Sequence, residues 1–374
     1  MKHLEEFRQA VRQPFDYARQ LKKTTGKKII GYVCSYTPEE IILAAGAHPM
    51  RLFGTKENIH LADSHLQSYC CSVVRGVLEE GLSGRVDFLD GMVFPHTCDS
   101  IQRLSDIWRM NIPFGFHLDV VLPVKLDTES ARDYMLDVLR KFRTDLGLAL
   151  GVDITDEALQ TAINTMNAIR QSIRAIYELR SKHPRIMSGE DLYNLVRASM
   201  IMDRDHVKGL LSETVSELKA KANQEKTDTP VKRIILAGGI CNHPDIYPMI
   251  EDTVGAIVWD DFCTGARYFT ELIGEGTDPI TRIAGRLLHR VVCPAKFVDL
   301  DGRAKHIIRL VQEQNAQAVI FLLLKFCDPH AFDYPYLRKS LDEAGIPVML
   351  MEIDDPLPPE GQLKTRFEAF LEML

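Results

Sequence analysis

The chain lacks the long apolar segments that membrane insertion or export requires. Its longest apolar run near the carboxyl end, Ala318 to Leu324, is far too short to cross a bilayer. The first residues, Met1-Lys-His-Leu-Glu-Glu, carry acidic side chains where a signal peptide has its apolar core. We therefore expect a soluble cytoplasmic protein. In that compartment its eight cysteines are buried thiols, reactive thiols or metal ligands rather than disulfides.

An excess of positive charge is also missing. The chain has 45 lysines and arginines against 52 aspartates and glutamates, and its net charge of −7 argues against general binding to nucleic acids or anionic membranes. A local basic pocket for an anionic ligand is compatible with this balance. The sequence contains no GxGxxG fingerprint and no GxxxxGK(S/T) loop, and Gly238-Gly239 matches neither. We therefore do not expect this chain to bind a nucleotide by itself.

The chain of 374 residues is long enough for two domains, and its pattern changes twice. Residues 1–127 alternate between strand-like and helix-like stretches, 128–227 indicate long amphipathic helices, and 228–374 return to strand–helix alternation. Such alternation predicts parallel sheets with helices on both faces. We therefore expect an α/β protein of two lobes with a helical segment between them and a linker at the polar stretch 222–229. No residue-level repeat relates the two α/β segments.

Individual elements follow from apolar runs and capping residues. Phe88–Phe94 contains a predicted strand, and the strongly apolar Ala318–Leu324 is another. A predicted helix covers Gln67–Glu80 and stops at a glycine. Thr155 and Ser188 are predicted to cap two further helices, because each hydroxyl precedes acidic residues and an amphipathic run.

Three cysteines in turn-like polar contexts suggest a metal centre. Cys71, Cys98 and Cys327 lie 27 and 229 residues apart, so they do not form a local zinc loop. Each stands near a strand end or a helix start, and ligands gather beyond the carboxyl ends of parallel strands. Three thiolates are what a [4Fe–4S] cluster with one open iron requires. The alternative, that these are ordinary core cysteines, stays open at this point.

The remaining cysteines are weaker candidates. Adjacent side chains on a helix point about 100° apart, so only one of Cys70 and Cys71 can readily face a cluster, and we favour Cys71. Cys34 and Cys263 follow strands and could line the same crevice. The other two are expected to be structural or incidental: Cys241 and Cys293.

Several polar residues near these cysteines are weak candidates for catalysis. His96 and His330 lie within three residues of Cys98 and Cys327, and they could relay protons or stabilise cluster sulfurs, although a lone histidine is more often structural. Glu39, in the first turn of a predicted helix, is a further candidate. The adjacent acids Asp260-Asp261 are weak candidates for cation binding.

Several motifs together resemble the benzoyl-CoA reductase/2-hydroxyacyl-CoA dehydratase family, in its D-component subunits. The resemblance spans almost the whole chain. The stretches that carry it are Tyr36-Thr-Pro-Glu-Glu-Ile-Ile-Leu-Ala-Ala-Gly, Tyr69-Cys-Cys-Ser, Thr97-Cys-Asp-Ser, Lys325-Phe-Cys-Asp-Pro-His-Ala-Phe-Asp-Tyr-Pro and Gly361-Gln-Leu-Lys-Thr-Arg-Phe-Glu-Ala-Phe.

The resemblance implies two flavodoxin-like (Rossmann-like) lobes with a [4Fe–4S] cluster between them, held by Cys71, Cys98 and Cys327. It implies pairing with a related subunit or with a second copy, and electrons from a separate ATP-hydrolysing iron–sulfur activator, which would explain the missing nucleotide motif. The implied reaction is dehydration of a 2-hydroxyacyl-CoA, in which one low-potential electron converts the thioester into a ketyl radical anion.

The resemblance leaves three alternatives open. Related enzymes reduce the benzoyl-CoA ring, and some subunits of this length only relay an electron to a partner. Other members are homodimers with a sulfide-bridged double cubane and reductase activity. The additional cysteines Cys34 and Cys263 are compatible with this alternative. The substrate-side residues of the family cluster near Cys34-Ser35, so Ser35 is a further weak catalytic candidate.

Overall fold

The computed structural model describes residues 3–55, 57, 59–224, 231–291 and 293–374. The first lobe contains a four-stranded parallel sheet in the order β2-β1-β3-β4. Its strands are β1 (Ile29–Tyr32), β2 (His48–Arg51), β3 (Gly91–Pro95) and β4 (Phe116–Val120). Its helices are α1 (His3–Arg12), α2 (Pro14–Thr25), α3 (Glu39–Ala44), α4 (Ser72–Leu82) and α5 (Asp99–Asn111).

Four long helices follow. They are α6 (Glu129–Leu150), α7 (Asp156–Lys182), α8 (Gly189–Ala198) and α9 (Arg204–Ala222). The predicted caps are confirmed, because the Thr155 hydroxyl accepts a hydrogen bond from the Ala158 backbone N–H and the Ser188 hydroxyl accepts one from Asp191. Residues 225–230, which hold most of the predicted linker, lie outside the described residues.

The second lobe repeats the strand order of the first, as β6-β5-β7-β8, and is again parallel throughout. Its strands are β5 (Lys232–Gly238), β6 (Gly255–Asp261), β7 (Ala318–Leu324) and β8 (Val348–Ile353). Its helices are α10 (Ile246–Glu251), α11 (Ala266–Phe269), α12 (Pro279–His289), α13 (Gly302–Glu313), α14 (Asp328–Glu343) and α15 (Glu360–Glu372). The predicted α/β fold with two parallel-sheet lobes is confirmed.

Helix α7 connects the two lobes through its buried side chains. It packs against α3 in the first lobe and against β6 and α11 in the second. Arg170 on α7 forms a buried ion pair with Glu40, and Arg180, about three turns further on, forms one with Glu251. Within the described residues, no helix is both long and apolar enough to cross a membrane.

Candidate functional site

The three predicted cysteines share one local structure. Cys71, Cys98 and Cys327 are the N-cap residues of α4, α5 and α14. The predicted helix from Gln67 therefore begins later than expected, because Cys71 has an extended backbone and α4 starts at Ser72. A helix N-terminus carries a partial positive charge and unpaired N–H groups, so all three sulfurs lie where an anion is stabilised.

The turn before Cys327 is strained. Phe326 has a φ of +63°, a left-handed conformation that non-glycine residues seldom adopt. This turn connects β7, which ends at Leu324, to the cap of α14 and is closed by a hydrogen bond of 3.0 Å from the Cys327 N–H to the Leu324 carbonyl. The strain is thus located at a residue that positions a candidate ligand.

One cavity of about 100 Å³ brings the three N-cap cysteines together, and three more cysteines line it as well. The full set is Cys34, Cys71, Cys98, Cys263, Cys293 and Cys327. Apolar side chains, including Val74, Ile101 and Leu324, form much of the remaining wall. The cavity is therefore rich in sulfur and largely shielded from water.

Two of the eight cysteines lie outside the cavity wall. Cys70 is buried nearby, where burial raises its pKa and Asp99 and Asp328 are close enough to raise it further. Cys241 is buried in the core of the second lobe, where its thiol lies 3.5 Å from the His243 carbonyl oxygen. The placement of Cys293 in the cavity differs from its expected incidental role. The sequence gives only a weak signal for Cys293, which is that a proline, Pro294, follows it. A proline also follows Cys327 closely.

The electrostatics of the three N-cap thiols show that they are close neighbours. Burial raises the pKa of each of Cys71, Cys98 and Cys327 to about 12. Cys98 further raises the pKa of Cys71, Cys71 raises that of Cys327, and Cys327 raises that of Cys98. Without a cation in the cavity the thiols stay protonated, and a bound metal would reverse this because it stabilises the thiolate form.

Backbone N–H groups oppose this rise in the same way at all three sites. The N–H of Val74, Ile101 and His330 lowers the pKa of Cys71, Cys98 and Cys327 respectively. Each donor belongs to the third residue of the helix that its cysteine caps, which is the position that a capping serine or threonine bonds.

Of the four predicted catalytic candidates, the structure brings two to the cavity. Ser35 and His330 line it, and the Ser35 hydroxyl accepts a hydrogen bond of 3.1 Å from Arg290. Burial keeps the pKa of His330 well below its usual value, so its ring is neutral. The others have structural partners: His96 bonds Asp119 at 2.8 Å, and Glu39 forms a buried ion pair of 2.7 Å with Arg204.

The described residues contain no group of three or more histidine, cysteine, aspartate or glutamate side chains that could hold a single metal ion. In an iron–sulfur cube, by contrast, each protein ligand binds a different iron atom. The predicted acid pair Asp260-Asp261 is engaged by its own surroundings. Asp260 accepts a hydrogen bond of 2.6 Å from Tyr177, and Asp261 lies 3.1 Å from the Arg303 guanidinium.

A larger crevice of about 610 Å³ adjoins the cysteine cavity. The two share Thr97, Cys98, Ala295 and Pro329 in their walls. Basic side chains line the crevice near the junction, and exposed apolar ones, such as Phe332, line its outer part. The crevice therefore gives a small molecule access to the wall that carries Cys98.

Comparison with known proteins finds similarity along the whole chain. Residues 34–374 match the family model of the 2-hydroxyglutaryl-CoA dehydratase D-component. The chain is 29% identical over 373 residues to the (R)-phenyllactyl-CoA dehydratase beta subunit of Clostridium sporogenes, covering 100% of this chain and 99% of the relative. It is 31% identical over 340 residues to one of the benzoyl-CoA reductase subunits of Thauera aromatica, and the match covers 89% of this chain and 87% of the relative.

A third relative, the beta subunit of (R)-2-hydroxyglutaryl-CoA dehydratase from Acidaminococcus fermentans, is 28% identical over 381 residues, with coverage of 99% and 98%. These relatives are subunits of dehydratases and of a reductase, and all are enzymes. The resemblance found in the sequence motifs is thereby confirmed. The chain belongs to the 2-hydroxyglutaryl-CoA dehydratase D-component family.

Proposed function

We propose that this chain is the iron–sulfur subunit of an ATP-activated 2-hydroxyacyl-CoA dehydratase. In this proposal Cys71, Cys98 and Cys327 hold a [4Fe–4S] cluster, and a separate ATP-hydrolysing iron–sulfur activator supplies its electron. The observation that carries the proposal is the convergence of three cysteine-capped helix N-termini on one cavity. The relatives are each named as one subunit of a larger enzyme, which supports a partner subunit for this chain as well.

The residues of the cavity fit such a cluster in their chemistry. Thiolates are the preferred protein ligands of iron–sulfur clusters, and six cysteines line this space. Two buried nitrogen atoms of lining residues, Arg51 Nε and His330 Nδ1, have no hydrogen-bond partner among the described residues. Unpaired buried polar atoms are unfavourable, so a polar occupant of the cavity would remove a cost of about 1–3 kcal/mol for each.

When bound, the cluster would supply a low-potential electron and one iron with an open coordination position. The crevice would admit the acyl-CoA thioester. As a ketyl radical anion the thioester would lose its 2-hydroxyl group as hydroxide and then a β-proton, and it would return the electron, so that water is removed without net oxidation or reduction. Arg290 fixes the Ser35 hydroxyl at the cavity wall, and neutral His330 carries one ring proton and has an Nδ1 atom without a partner among the described residues. The apolar wall keeps water away from both side chains.

Iron and acid-labile sulfide per chain, measured after strictly anaerobic purification together with an EPR spectrum of the reduced protein, test this proposal. We expect about four of each per chain, because one cube contains four irons and four sulfides. Cys71→Ser should lower the iron content sharply, since a hydroxyl is a poorer ligand for iron than a thiolate. The matched control is its neighbour, Cys70→Ser, which should keep its iron.

A colourless protein without iron or sulfide, shown to be folded and never exposed to air, would leave an α/β binding protein and remove this function. Loss of the cluster only in Cys70→Ser would instead reassign the ligand. A chain that turns over substrate without a paralogous partner would exclude the alternative of a subunit that only relays electrons.

A second candidate function is supported by the three additional cysteines. Cys34, Cys263 and Cys293 line the same cavity as the first three, which favours a larger, sulfide-bridged double cubane in a homodimeric reductase. Iron approaching eight per chain, with more sulfide than two separate cubes contain, would select this candidate. Cys293→Ser would then lower the iron content about as much as Cys71→Ser, whereas a single cube predicts little change. A reductase of the benzoyl-CoA type keeps one cube and is separated from the dehydratase by its product.

A further inference from the structure

Three buried cations surround the cysteine cavity, and none of them has an acidic partner among the described residues. Arg51, Arg290 and Lys296 are only 1%, 2% and 4% exposed. In the part of the chain that the structure describes, no aspartate or glutamate lies within 4.0 Å of their charged nitrogens. Their hydrogen bonds go instead to neutral groups, such as the Leu122 carbonyl oxygen, which accepts from Lys296 at 3.1 Å.

Most buried arginines elsewhere in the protein are paired with acids; Arg286, which donates to the carbonyl oxygens of Glu271 and Tyr268, is an exception. Arg170 pairs with Glu40, Arg180 with Glu251, and Arg204 with Glu39. A buried charge without a counterion costs several kcal/mol, since neutral hydrogen-bond acceptors do not replace the water it has lost. The three unpaired cations are therefore unfavourable in the cluster-free chain, and they share one location.

One of the three cations contacts a sulfur atom, and the other two lie beside the cysteine cavity. The Arg51 guanidinium lies 3.3 Å from the Cys263 Sγ and donates a hydrogen bond of 3.0 Å to the Cys263 carbonyl oxygen. Arg290 and Lys296 line the crevice where it adjoins the cysteine cavity. Burial lowers the pKa of Lys296 to about 8, while Cys34, Cys293 and Cys98 are near enough to act in the opposite direction. These cations thus face the place where thiolates and sulfides would add negative charge.

We propose that Arg51, Arg290 and Lys296 are the counter-charges of the cluster and set its reduction potential. This inference rests on the function proposed above and adds positioning residues that are not cluster ligands. A [4Fe–4S] cube with three thiolates is a net anion, and reduction makes it more negative. Nearby cations therefore stabilise the bound cluster and, to a greater extent, its reduced form. They raise the reduction potential, which brings it within reach of the electron donor.

The test compares charge-removing variants of the holoprotein and of the chain after anaerobic removal of iron by a chelator. Lys296→Met and Arg51→Met keep much of the side-chain volume and remove the charge, while Lys296→Arg keeps the charge. Arg204→Met is the matched control, because it removes a buried cation whose partner is Glu39. The readouts are iron per chain, the midpoint potential followed by EPR, and the thermal unfolding midpoint of the iron-free chain.

We expect Lys296→Met and Arg51→Met to lower the midpoint potential by at least 59 mV. For one electron this is a tenfold change in the ratio of reduced to oxidised cluster at a given potential. Their iron-free chains should unfold at the wild-type temperature or above it, because an unpaired buried charge is gone. Arg204→Met should lower the unfolding temperature of both forms and leave the potential unchanged. If Lys296→Met retains no iron, restored iron in Lys296→Arg supports the proposal.

Unchanged potentials in both methionine variants with full iron would overturn the counter-charge role while leaving the iron–sulfur function intact. Failure of Lys296→Arg to restore iron lost in Lys296→Met would overturn it as well. A wild-type chain that binds no iron would overturn both the function and this inference, so the two failures are distinguishable.

Discussion

The amino-terminal and carboxyl-terminal sheets have the same parallel strand order, yet they bring cysteines to the cavity by different means. In each lobe the third of its four strands in chain order ends three residues before an N-cap cysteine, as β3 does before Cys98 and β7 before Cys327. The first lobe then adds Cys71 from a separate helix, whereas the second adds Cys263 directly after β6. Equivalent positions in the topology, rather than similar sequences, therefore supply Cys98 and Cys327, while the further cysteines come from positions that differ between the lobes.

The largest expected effect concerns the equivalent pair of cysteines. Cys98→Ser and Cys327→Ser should each lower the iron content sharply, and to a similar degree, if the two lobes contribute matching ligands. Anaerobic iron and sulfide analysis measures this. Cys241→Ser is the matched control, because this thiol is buried in the core of the second lobe and should keep its iron. Full iron in either cap variant would contradict the equivalence of the lobes.

A second comparison uses the two ion pairs that connect α7 to the lobes. Arg170→Met leaves Glu40 of the first lobe without its partner, and Arg180→Met does the same to Glu251 of the second. Removing one member of a buried pair costs about 3–5 kcal/mol, so both variants should have a much lower free energy of unfolding. Denaturant titration of the two variants measures this.

The surface pair Arg143 and Asp156 provides the control, because both side chains are in contact with solvent and Arg143→Met should cost less than about 1 kcal/mol. A large loss in only one of the two α7 variants would show that only one lobe depends on this helix.

A third comparison concerns two glutamates with opposite surroundings. Burial raises the pKa of Glu80 on α4 to about 8, and no cation among the described residues forms an ion pair with it, whereas Glu251 on α10 is paired with Arg180. Between pH 4.5 and 8 the unfolded chain loses the Glu80 proton while the folded chain keeps it, so this group lowers stability as the pH rises.

Glu80→Gln should therefore gain stability relative to the wild type between pH 5 and pH 8.5, by more than about 1.4 kcal/mol, the equivalent of one pKa unit. Glu251→Gln should instead lose stability at both pH values, because it breaks the pair with Arg180. Urea unfolding at the two pH values measures both. An unchanged difference between the wild type and Glu80→Gln would show that Glu80 is ionised in the folded protein.

The sequence was sufficient to predict features that depend on local pattern. The alternation of elements predicted two parallel-sheet lobes, and the apolar run Ala318–Leu324 was recovered as β7 with the same bounds. The short strands of the first lobe, four or five residues each, were harder to delimit, since a buried strand of that length has little pattern. The position of Phe326 in the left-handed region had no signal in the sequence, because phenylalanine does not favour it.

Features that depend on tertiary contacts could not be predicted. Arg51 ends an ordinary strand and Lys296 follows a proline turn, and only the assembled lobes bring one to the cysteine cavity and the other to the crevice beside it. Cys293 was missed for the same reason, because it follows α12 and not a strand end. Glu39 is an acid at the start of a helix, and in the sequence this made it a candidate for the site. In the structure its carboxylate pairs with Arg204, which is 165 residues away in the chain.

The smallest expected effect separates the two cysteine turns. The residue before Cys327 is Phe326, with a φ of +63°, and the residue before Cys98 is Thr97, which has no positive φ. Asparagine tolerates the left-handed region better than alanine, while both remove the original side chain. Phe326→Asn should therefore be more stable than Phe326→Ala by about 0.5–1 kcal/mol, and Thr97→Asn should show no such advantage over Thr97→Ala. Denaturant unfolding of the four variants measures both differences. An equal advantage of asparagine at both positions would mean that the two turns have the same backbone strain, and the lobes would then differ only in which further cysteines they contribute.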